Sequence, residues 1–539
     1  MSNFANENKI YEHNIINMNK IGFKNFRKFQ DFPTIDLGKI TILVGGNNAG
    51  KSTLVKAILL MRDFLKSRIE SVDRAGNVFK SVKPQFKFDA EHVNIGEFYR
   101  AFCRQSPSKE DTMVFTMKID KFCFVVNIRG ERKPGVIPEV SMIAVSDEKD
   151  NIHFTFDFVK NQMTARFVYD KEALNSYEEE GYPIELRIKE LHNALSMSKN
   201  LNEISNIKLQ LEQLEKQVNS LKPDYNITEE DSVTVSMSYF IGDNIGEYVI
   251  TELIKGFVNY AYVGTLGDKR SKAFKEQEAN KNFIRGKETQ INAIAKEIEE
   301  VFNRQTIEYV YAHSVAQTPI YANCIGSSDY TNRTIHEFYN ARINTGEEEF
   351  DFIETWLKEF KIGNSLRVVS HSGDSYQVFI SDDENPDGMD LADKGMGSIQ
   401  LTFLLLRLAT LIRKYKGQNL TVLLEEPEQN LHPALQSKLA DLIFEVSQKF
   451  GVRFIIETHS EYLVRHSQVI AAKQLYEEDA SLDDINNTIK VYYISQERGV
   501  IDMLFLDNAK FKDFFDEGFF DQAAREALTI SRLERVNRK

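Results

Sequence analysis

The stretch Gly45-Gly46-Asn47-Asn48-Ala49-Gly50-Lys51-Ser52 decides the fold of this 539-residue chain. It follows an apolar run at 40–44 and precedes a segment with apolar residues at helical spacing, at 54, 58, 61 and 65. A strand, a glycine turn and a helix in this order form the context in which such a motif binds phosphate. We therefore predict a phosphate-binding loop at 45–52.

The residue types in this loop suit a bound polyphosphate. Gly45 and Gly50 let the backbone bend until successive N–H groups point at phosphate oxygens, beside the positive end of the next helix. Lys51 is expected to contact the β- and γ-phosphates, and Ser52 offers a hydroxyl to Mg²⁺. The predicted cofactors are therefore a nucleoside triphosphate and Mg²⁺. The loop residues expected to bind the nucleotide are Gly45, Asn47, Asn48, Ala49, Gly50, Lys51, Ser52 and Thr53.

Composition sets a few outer limits on the fold and function. The chain is too long for one hydrophobic core, so several units or one core with insertions are expected. A net charge of −13 argues against a protein whose whole surface binds nucleic acid. Binding through a local basic patch is still compatible with this charge. Three scattered cysteines and the lack of a long apolar run favour a cytoplasmic location with no membrane segment. The most apolar stretch, 401–412, is predicted to be a buried helix.

Antiparallel strands are predicted on both sides of the loop. Residues 21–29 alternate apolar and polar side chains, which indicates an antiparallel pair beside the nucleotide site. Strand-like runs at 113–117, 122–126 and 154–156 are separated by turn residues and predict an antiparallel β-subdomain. We therefore assign 1–170 to an N-terminal lobe.

A helical insertion is predicted after the first lobe. Apolar residues at 204, 207, 211, 214, 218 and 221 indicate the seam of an antiparallel helix pair or a short coiled coil. A second charged helical region runs from about 271 to 305. We therefore read 171–305 as a helical insertion and 306–539 as a C-terminal lobe.

The second helical region begins with an excess of basic residues. Two interpretations stay open: a surface for DNA or a partner protein, or an ordinary solvated helix face, which is the commoner reason for a charge run. The basic residues are Lys269, Arg270, Lys272, Lys275, Lys281, Arg285 and Lys287.

Acidic and histidine side chains follow two apolar strands of the C-terminal lobe. One strand, at 419–424, ends in Glu425 and Glu426, and the next ends shortly before His459. The helix between them predicts a parallel βαβ unit, whose strand ends meet where an α/β sheet binds its ligand. Glu425 is expected to hold the metal through water and Glu426 to act on the attacking water. His459 is expected to reach the γ-phosphate.

Together these motifs resemble the ABC-type ATPases of the SMC and RecF-like branch. The resemblance is strongest to the AAA-family ATPases of bacterial anti-phage operons, such as the PtuA-type proteins of Septu and retron systems. Residues 45–52 are similar to their Walker A motif, 423–433 to their Walker B motif and D-loop, and 458–461 to their switch-histidine motif. The similarity covers about 20–170 and 306–525, and it includes a short tail motif at 517–521.

The resemblance implies a fold and an assembly. The fold is an α/β, ABC-type ATPase head with a mostly parallel sheet flanked by helices, an antiparallel β-subdomain and a short coiled-coil insertion. The assembly is a head-to-tail homodimer, or a higher even oligomer, that holds ATP and Mg²⁺ between subunits. Each subunit would complete the other's site with its signature motif, through Gly395, Gly397, Ser398 and Gln400.

Two residues of the motifs depart from the common ABC pattern. The signature motif lacks the Leu-Ser-Gly-Gly-Gln form of transporters, and Glu425 stands where most ABC proteins carry Asp. Both departures point away from transporters.

The resemblance also implies an ATP-hydrolysing protein that regulates a partner effector. The typical effector is a small HNH-type nuclease, in some systems with a retron RNA or DNA, and direct contact with DNA stays open. One alternative is a nucleotide-gated scaffold or antitoxin with little turnover. Another is an SMC/RecF-like DNA-repair ATPase, which the short insertion makes less favoured.

Overall fold

The structure is a computed structural model. It describes residues 18–67, 72–74, 77–79, 84–107, 109, 111–147, 152–169, 182–197, 201–221, 229–237, 248–265, 267–311, 317–322, 329–372 and 375–537.

The described residues form strands and helices in the following order. The strands are β1 (Met18–Phe26), β2 (Phe29–Asp36), β3 (Ile40–Gly45), β4 (Val72–Arg74), β5 (Asn77–Phe79), β6 (Asp89–Ala90), β7 (Val93–Asn94), β8 (Thr112–Ile119), β9 (Phe122–Arg129), β10 (Glu139–Ser146), β11 (Ile152–Asp157), β12 (Gln162–Tyr169), β13 (Glu229–Ser236), β14 (Gln305–Tyr311), β15 (Tyr321–Ala322), β16 (Ser365–His371), β17 (Ser375–Ser381), β18 (Met389–Asp390), β19 (Asn419–Glu425), β20 (Arg453–Thr458), β21 (Ile489–Ser495) and β22 (Gly499–Asp502). The helices are α1 (Lys51–Leu65), α2 (Phe98–Ala101), α3 (Tyr182–Met197), α4 (Leu201–Leu221), α5 (Val249–Tyr262), α6 (Lys272–Gly286), α7 (Glu288–Arg304), α8 (Tyr330–Ala341), α9 (Glu348–Glu359), α10 (Met396–Lys414), α11 (Pro433–Phe450), α12 (Glu461–Glu477), α13 (Leu482–Thr488) and α14 (Gln522–Asn537).

An eight-stranded antiparallel sheet forms the first core, in the order β13-β12-β11-β10-β9-β8-β1-β2. Alternate residues of its strands are buried, as Met113, Phe115 and Met117 are in β8, because successive side chains of a strand point to opposite faces. Helix α1 packs into the same core. The antiparallel pair predicted at 21–29 and the antiparallel β-subdomain are therefore confirmed.

Parts of the predicted helical insertion at 171–305 pack with the first sheet in the structure. Strand β13 pairs with β12 at the edge of the first sheet, and α5 and α7 bury their apolar faces in the first core. Phe257 of α5, for example, contacts the rings of Phe154 and Phe156. The alternation in β13 is short and its partner strand is distant in sequence, so local patterning does not reveal the pairing. Strand β13 and helices α5 and α7 thus pack with the first core, and the predicted domain bounds stay a prediction.

Helices α3 and α4, also within the predicted insertion, pack against each other instead of in the first core. Leu191 of α3 and Ile207 and Leu211 of α4 form a small apolar cluster of their own. These α4 residues belong to the predicted seam, so the sequence prediction of packed helices holds here.

A six-stranded sheet forms the second layer, in the order β14-β19-β20-β3-β21-β22. The first five strands are parallel, and β22 is antiparallel to β21. The predicted parallel βαβ unit is confirmed as β19-α11-β20. Because parallel strands end at the same edge, the chain after Gly45, Glu425 and Thr458 leaves the sheet on one side, where ligands of α/β sheets bind.

Helix α10 lies at the centre of the second core, as predicted for 401–412. Among the described helices it is the one with the length and composition to cross a membrane, and 78% of its most apolar window is buried inside the protein. Its Arg407 is 2% exposed and forms ion pairs with Glu308 of β14 and Glu337 of α8.

We expect Arg407→Met to destabilise the protein by about 3–5 kcal/mol, since removing one partner of a buried ion pair leaves the other charges uncompensated. Urea unfolding followed by circular dichroism measures this cost. Arg129→Met is the matched control, because Arg129 pairs with Asp111 at an exposed position and should change stability by about 1 kcal/mol or less. Equal midpoints for the two variants would contradict the assigned role of Arg407.

Candidate nucleotide-binding and hydrolysis site

The predicted phosphate-binding loop joins β3 directly to α1. Gly50 adopts φ +116°, and a Cβ atom there would lie 2.3 Å from the ring of Phe29. A Cβ atom on Gly45 would lie 2.6 Å from the carbonyl oxygen of Ile494. Both positions therefore require glycine, which lets the loop pack between β2 and β21.

Lys51 lies at the centre of the loop and is 3% exposed. Its Nζ donates to the carbonyl oxygens of Gly45 and Gly46, at 2.9 and 3.3 Å, and to His459 Nε2 at 2.9 Å. Burial lowers the pKa of Lys51, while nearby carboxylates, Glu457 first, act in the opposite direction. The ammonium group is thus held inside the loop, next to a histidine that directly follows β20.

A polar cleft of about 820 Å³ opens above the loop. Residues 47–53, Glu426, Glu457 and His459 line its base. Basic and polar side chains line its rim, which suits a polyanionic ligand. The rim residues are Arg27, Lys28, Lys56, Arg100, Arg104 and Gln105.

The rim consists of Lys56 of α1 and of two segments that are distant in sequence, at 27–28 and 100–105. Asn25, near the end of β1, and Arg27, in the turn after it, both have positive φ. The N–H of Arg27 donates to the carbonyl of Ala101 at 2.6 Å, and the N–H of Cys103 donates to the carbonyl of Asn25 at 2.9 Å. These bonds place Arg100 and Arg104 beside the loop, and no motif in the sequence marks them.

Glu457, the penultimate residue of β20, is a site residue that the sequence analysis did not assign. It is 3% exposed, and its Oε1 accepts a hydrogen bond of 2.7 Å from Ser52 Oγ. Burial raises the pKa of Glu457 to about 7, although the bond from Ser52 acts in the opposite direction. A signal was present, because the residue stands at the end of a strand that leads to His459.

The predicted catalytic residues Glu426 and His459 lie together. His459 Nε2 is 3.4 Å from Glu426 Oε1, and Gln429 donates to the other carboxylate oxygen of Glu426. Glu426 adopts φ +43°, an uncommon conformation for a residue with a side chain. Burial and the nearby Lys51 lower the pKa of His459, which favours the neutral ring that Lys51 needs as an acceptor.

Glu428 fixes the backbone of His459. Its Oε1 accepts the backbone N–H of His459 at 2.6 Å, and the residue is 7% exposed. The turn after β19 and the end of β20 are therefore tied together directly, which holds Glu426 and His459 in register.

Glu425 ends β19, as expected, and this strand is one strand further from the loop than β20. Glu425 pairs in register with Glu457 on the neighbouring strand and does not line the cleft. Burial, together with the charge of Glu426, raises the pKa of Glu425. Its predicted role as a metal ligand stays a prediction, and the structure places Glu457 between Glu425 and the loop.

The predicted signature residues lie away from this cleft. Gly395, Gly397 and Ser398 form the start of α10 and do not line the cleft. A Cβ atom on Gly397 would lie 2.8 Å from the carbonyl oxygen of Asn430, so α10 packs closely on the segment after Glu426.

Gln400, the last of the predicted signature residues, is bonded within its own chain. It is 2% exposed, its Nε2 donates to the carbonyl of Pro427 at 3.1 Å, and its Oε1 accepts from Asn430 at 3.2 Å. Both ends of the amide are used inside the chain. Gln400 therefore links the signature turn to the turn that carries Glu426, and its contact with a nucleotide stays a prediction.

The donor set fits Mg²⁺ bound together with a polyphosphate. Among the described residues, no group of three or more His, Cys, Asp or Glu side chains is arranged to hold a metal. Mg²⁺ is usually held by one or two protein oxygens together with substrate phosphates and water, so no such group is required. Ser52 Oγ and the neighbouring carboxylates supply oxygen ligands of the kind that Mg²⁺ prefers.

A glycine loop between a parallel strand and a helix, with carboxylates at the neighbouring strand ends, defines a P-loop nucleotide-binding protein. Residues 17–464 match the family model described as an AAA ATPase domain, and the chain belongs to this family.

The solved structures that are similar to the chain include two Smc heads. One is the Smc head bound to the C-terminal winged-helix domain of ScpA, with a TM-score of 0.32 and 14% identity, covering 91% of this chain and 98% of that one. The other is the Smc head with an extended coiled coil, bound to the C-terminal domain of ScpA, from Pyrococcus furiosus. It gives a TM-score of 0.31 and 12% identity, covering 97% of this chain and 100% of that one. No curated protein matches the sequence.

Proposed function

We propose that the chain hydrolyses ATP with Mg²⁺, dimerises around the nucleotide and controls a partner effector in anti-phage defence. The observation that carries the hydrolysis proposal is the meeting of Lys51, Glu426 and His459, from three separate segments, above one edge of a parallel sheet. These are the residue types that phosphoryl transfer to water requires.

Each residue has a role that its position supports. Lys51 and the loop N–H groups bind the β- and γ-phosphates, so Lys51 exchanges its contact with His459 for the ligand. Glu426 orients the attacking water and accepts its proton, and His459 contacts the γ-phosphate. Bound Mg²⁺ would be held from Ser52 and would neutralise phosphate charge. Phosphate release from ATP, measured with Mg²⁺ and with EDTA, tests this proposal, and no release with Mg²⁺ would contradict it.

The position of the signature turn supports the dimer. Gly395 is exposed, and no atom lies within 4 Å of a Cβ atom placed on it. The turn stands at the start of a helix, where backbone N–H groups and the helix dipole favour an anion. The turn does not line the cleft of its own subunit, so the nucleotide bound to a second subunit would be its ligand.

We expect Gly395→Trp to prevent ATP-dependent dimerisation while each chain still binds ATP. The added ring has room in the free chain and would block the approach of a second subunit. Light scattering with and without ATP measures the assembly. The control is Gly286→Trp, since Gly286 is also exposed with open space around it but lies at the end of α6. Normal assembly of the Gly395 variant would contradict the head-to-tail arrangement.

Helix α14 supports the proposal of an effector. All of its described side chains, including Leu528, Ile530 and Leu533, are exposed, and an isolated helix of this length is marginal in water. The motif resemblance names an HNH-type nuclease as the partner class. Co-purification with proteins encoded beside it tests this, with Leu528→Asp as the variant that should weaken the complex. Cleavage of plasmid DNA by the purified chain alone would contradict this division of roles.

A further inference from the structure

Glu457 carries a buried carboxylate oxygen that lacks a partner among the described residues. Its Oε1 accepts from Ser52, whereas its Oε2 is buried and makes no hydrogen bond there. Leaving a buried, charged oxygen unsatisfied is costly, because the group loses its hydration without a replacement. Glu457 also lines the cleft, so the carboxylate that carries this oxygen lies on the nucleotide side.

The surroundings of Glu457 are rich in negative charge. Glu425 lies in register on one neighbouring strand, and Glu426 follows it. Both interact unfavourably with Glu457, while Lys51 acts in the opposite direction. Phosphate groups entering the cleft would add negative charge beside these carboxylates. A divalent cation between them would offset the repulsion on both sides.

The sheet order separates the two candidate carboxylates. Strand β20, which carries Glu457, lies directly beside the loop strand β3, whereas β19, which carries Glu425, is one strand further away. Neighbouring strands are about 4.8 Å apart, so Glu457 is closer to Ser52 by about that distance. The hydrogen bond from Ser52 to Glu457 agrees with this order.

We propose that Glu457 is a carboxylate of the metal site, which orients the Ser52 hydroxyl through Oε1 and binds the divalent cation, or a water on it, through Oε2. This inference rests on the proposed function, because it takes a nucleotide in the cleft as given. It adds a metal-site residue from β20 to the one predicted from β19.

The variant Glu457→Gln tests the charge alone. Its amide oxygen still accepts from Ser52, while the negative charge is lost. Binding of a fluorescent ATP analogue is titrated in EDTA and at a series of Mg²⁺ concentrations, and Mn²⁺ binding to the nucleotide complex is followed by electron paramagnetic resonance. We expect unchanged affinity in EDTA and a 10- to 100-fold weaker affinity for Mg²⁺ and Mn²⁺, roughly the usual cost of losing a metal-site partner.

A second variant and a matched control sharpen the test. Glu457→Asp keeps the charge with a shorter reach and should recover part of the metal affinity. Glu349→Gln is the control. Glu349 is also 3% exposed, but it pairs with Arg413 of α10 and not with a residue of the loop. It should leave the Mg²⁺ requirement unchanged.

Two further outcomes would overturn the metal-site proposal, and a third would contradict the proposed function instead. A normal Mg²⁺ and Mn²⁺ affinity for Glu457→Gln would overturn the metal role. Weaker binding in EDTA with no further change on adding Mg²⁺ would also overturn it, because it would show that Glu457 merely shapes the loop. Failure of the unaltered chain to bind nucleotide at all would contradict the proposed function instead.

Discussion

ATP affinity should fall about 100-fold when Lys51 is replaced by Ala. The ammonium group is buried in the loop and held by two carbonyl oxygens and His459, so it is already oriented for a phosphate ligand. Truncating one member of a close, desolvated charge pair costs about 2–5 kcal/mol, and about 2.7 kcal/mol corresponds to 100-fold. Equilibrium binding of a fluorescent ATP analogue, with and without Mg²⁺, measures the loss.

The control for this variant is Lys39→Ala. Lys39 precedes the same strand, β3, at the end away from the loop, and its side chain is exposed. It should bind ATP like the unaltered chain. Equal affinities for the Lys51 variant and the unaltered chain would contradict the assignment of the loop as the nucleotide site.

The parts of the fold predicted from the sequence are those with local signals. The motif at 45–52 combines a strand, a turn that requires Gly50 and a helix within about twenty-five residues. The βαβ unit at 419–458 is equally local, and its handedness and parallel pairing follow from general rules. Glu426 and His459 were predicted because each follows such a strand directly, and the structure brings them within 3.4 Å of each other.

The features missed from the sequence depend on contacts between distant segments. Strand β13 pairs with β12 across residues 170–228, so its partner is not visible in the local pattern. Arg100 and Arg104 reach the cleft because their loop is bonded to the turn after β1. Gln400 matched a motif position, yet close packing of α10 on the turn after Glu426 buries its amide. In each case tertiary packing decides the role.

The basic tract at 269–287 separates into two groups in the structure. Lys281 is buried and donates to the carbonyl of Val263 at 2.6 Å, and Arg285 donates to the carbonyl of Ala261 at 2.6 Å. Lys287 lies over the ring of Phe167. Lys281 thus belongs to the first core and does not count toward a DNA-binding surface, whereas Arg285 is exposed and Lys287 is half-buried. The exposed residues Lys269, Arg270, Lys272 and Lys275 keep that interpretation open.

The links between the signature turn and the catalytic turn suggest how two sites would act together. Gln400 bonds to the backbone of Pro427, the residue after Glu426, and Gly397 packs on Asn430. In the proposed dimer, the nucleotide of one subunit would contact Gly395 of the other subunit. Through Gln400 and Gly397, this contact would affect the segment that carries Glu426 in the same subunit as that Gly395. Turnover at one site would then depend on occupancy of both.

ATP hydrolysis should fall by about 10²–10⁴-fold in Glu426→Gln while ATP binding is retained, which is roughly the contribution of a positioned general base. The amide keeps the shape of the side chain and its contact with Gln429, but it does not accept a proton from water. Because ATP then persists between the subunits, the ATP-bound dimer should accumulate. Phosphate release measures turnover, and light scattering in the presence of ATP measures the dimer.

Glu477→Gln is the control, since Glu477 is exposed at the end of α12, outside the cleft, and its substitution should leave phosphate release unchanged. An unchanged rate for Glu426→Gln would contradict its role as the base and would leave His459 or another group to activate the water. Negligible release by the unaltered chain, with tight ATP binding, would instead favour a nucleotide-gated scaffold. The ATPase and the scaffold therefore predict different effects of Glu426→Gln on phosphate release. A scaffold needs ATP to be bound but does not need Glu426 to accept a proton.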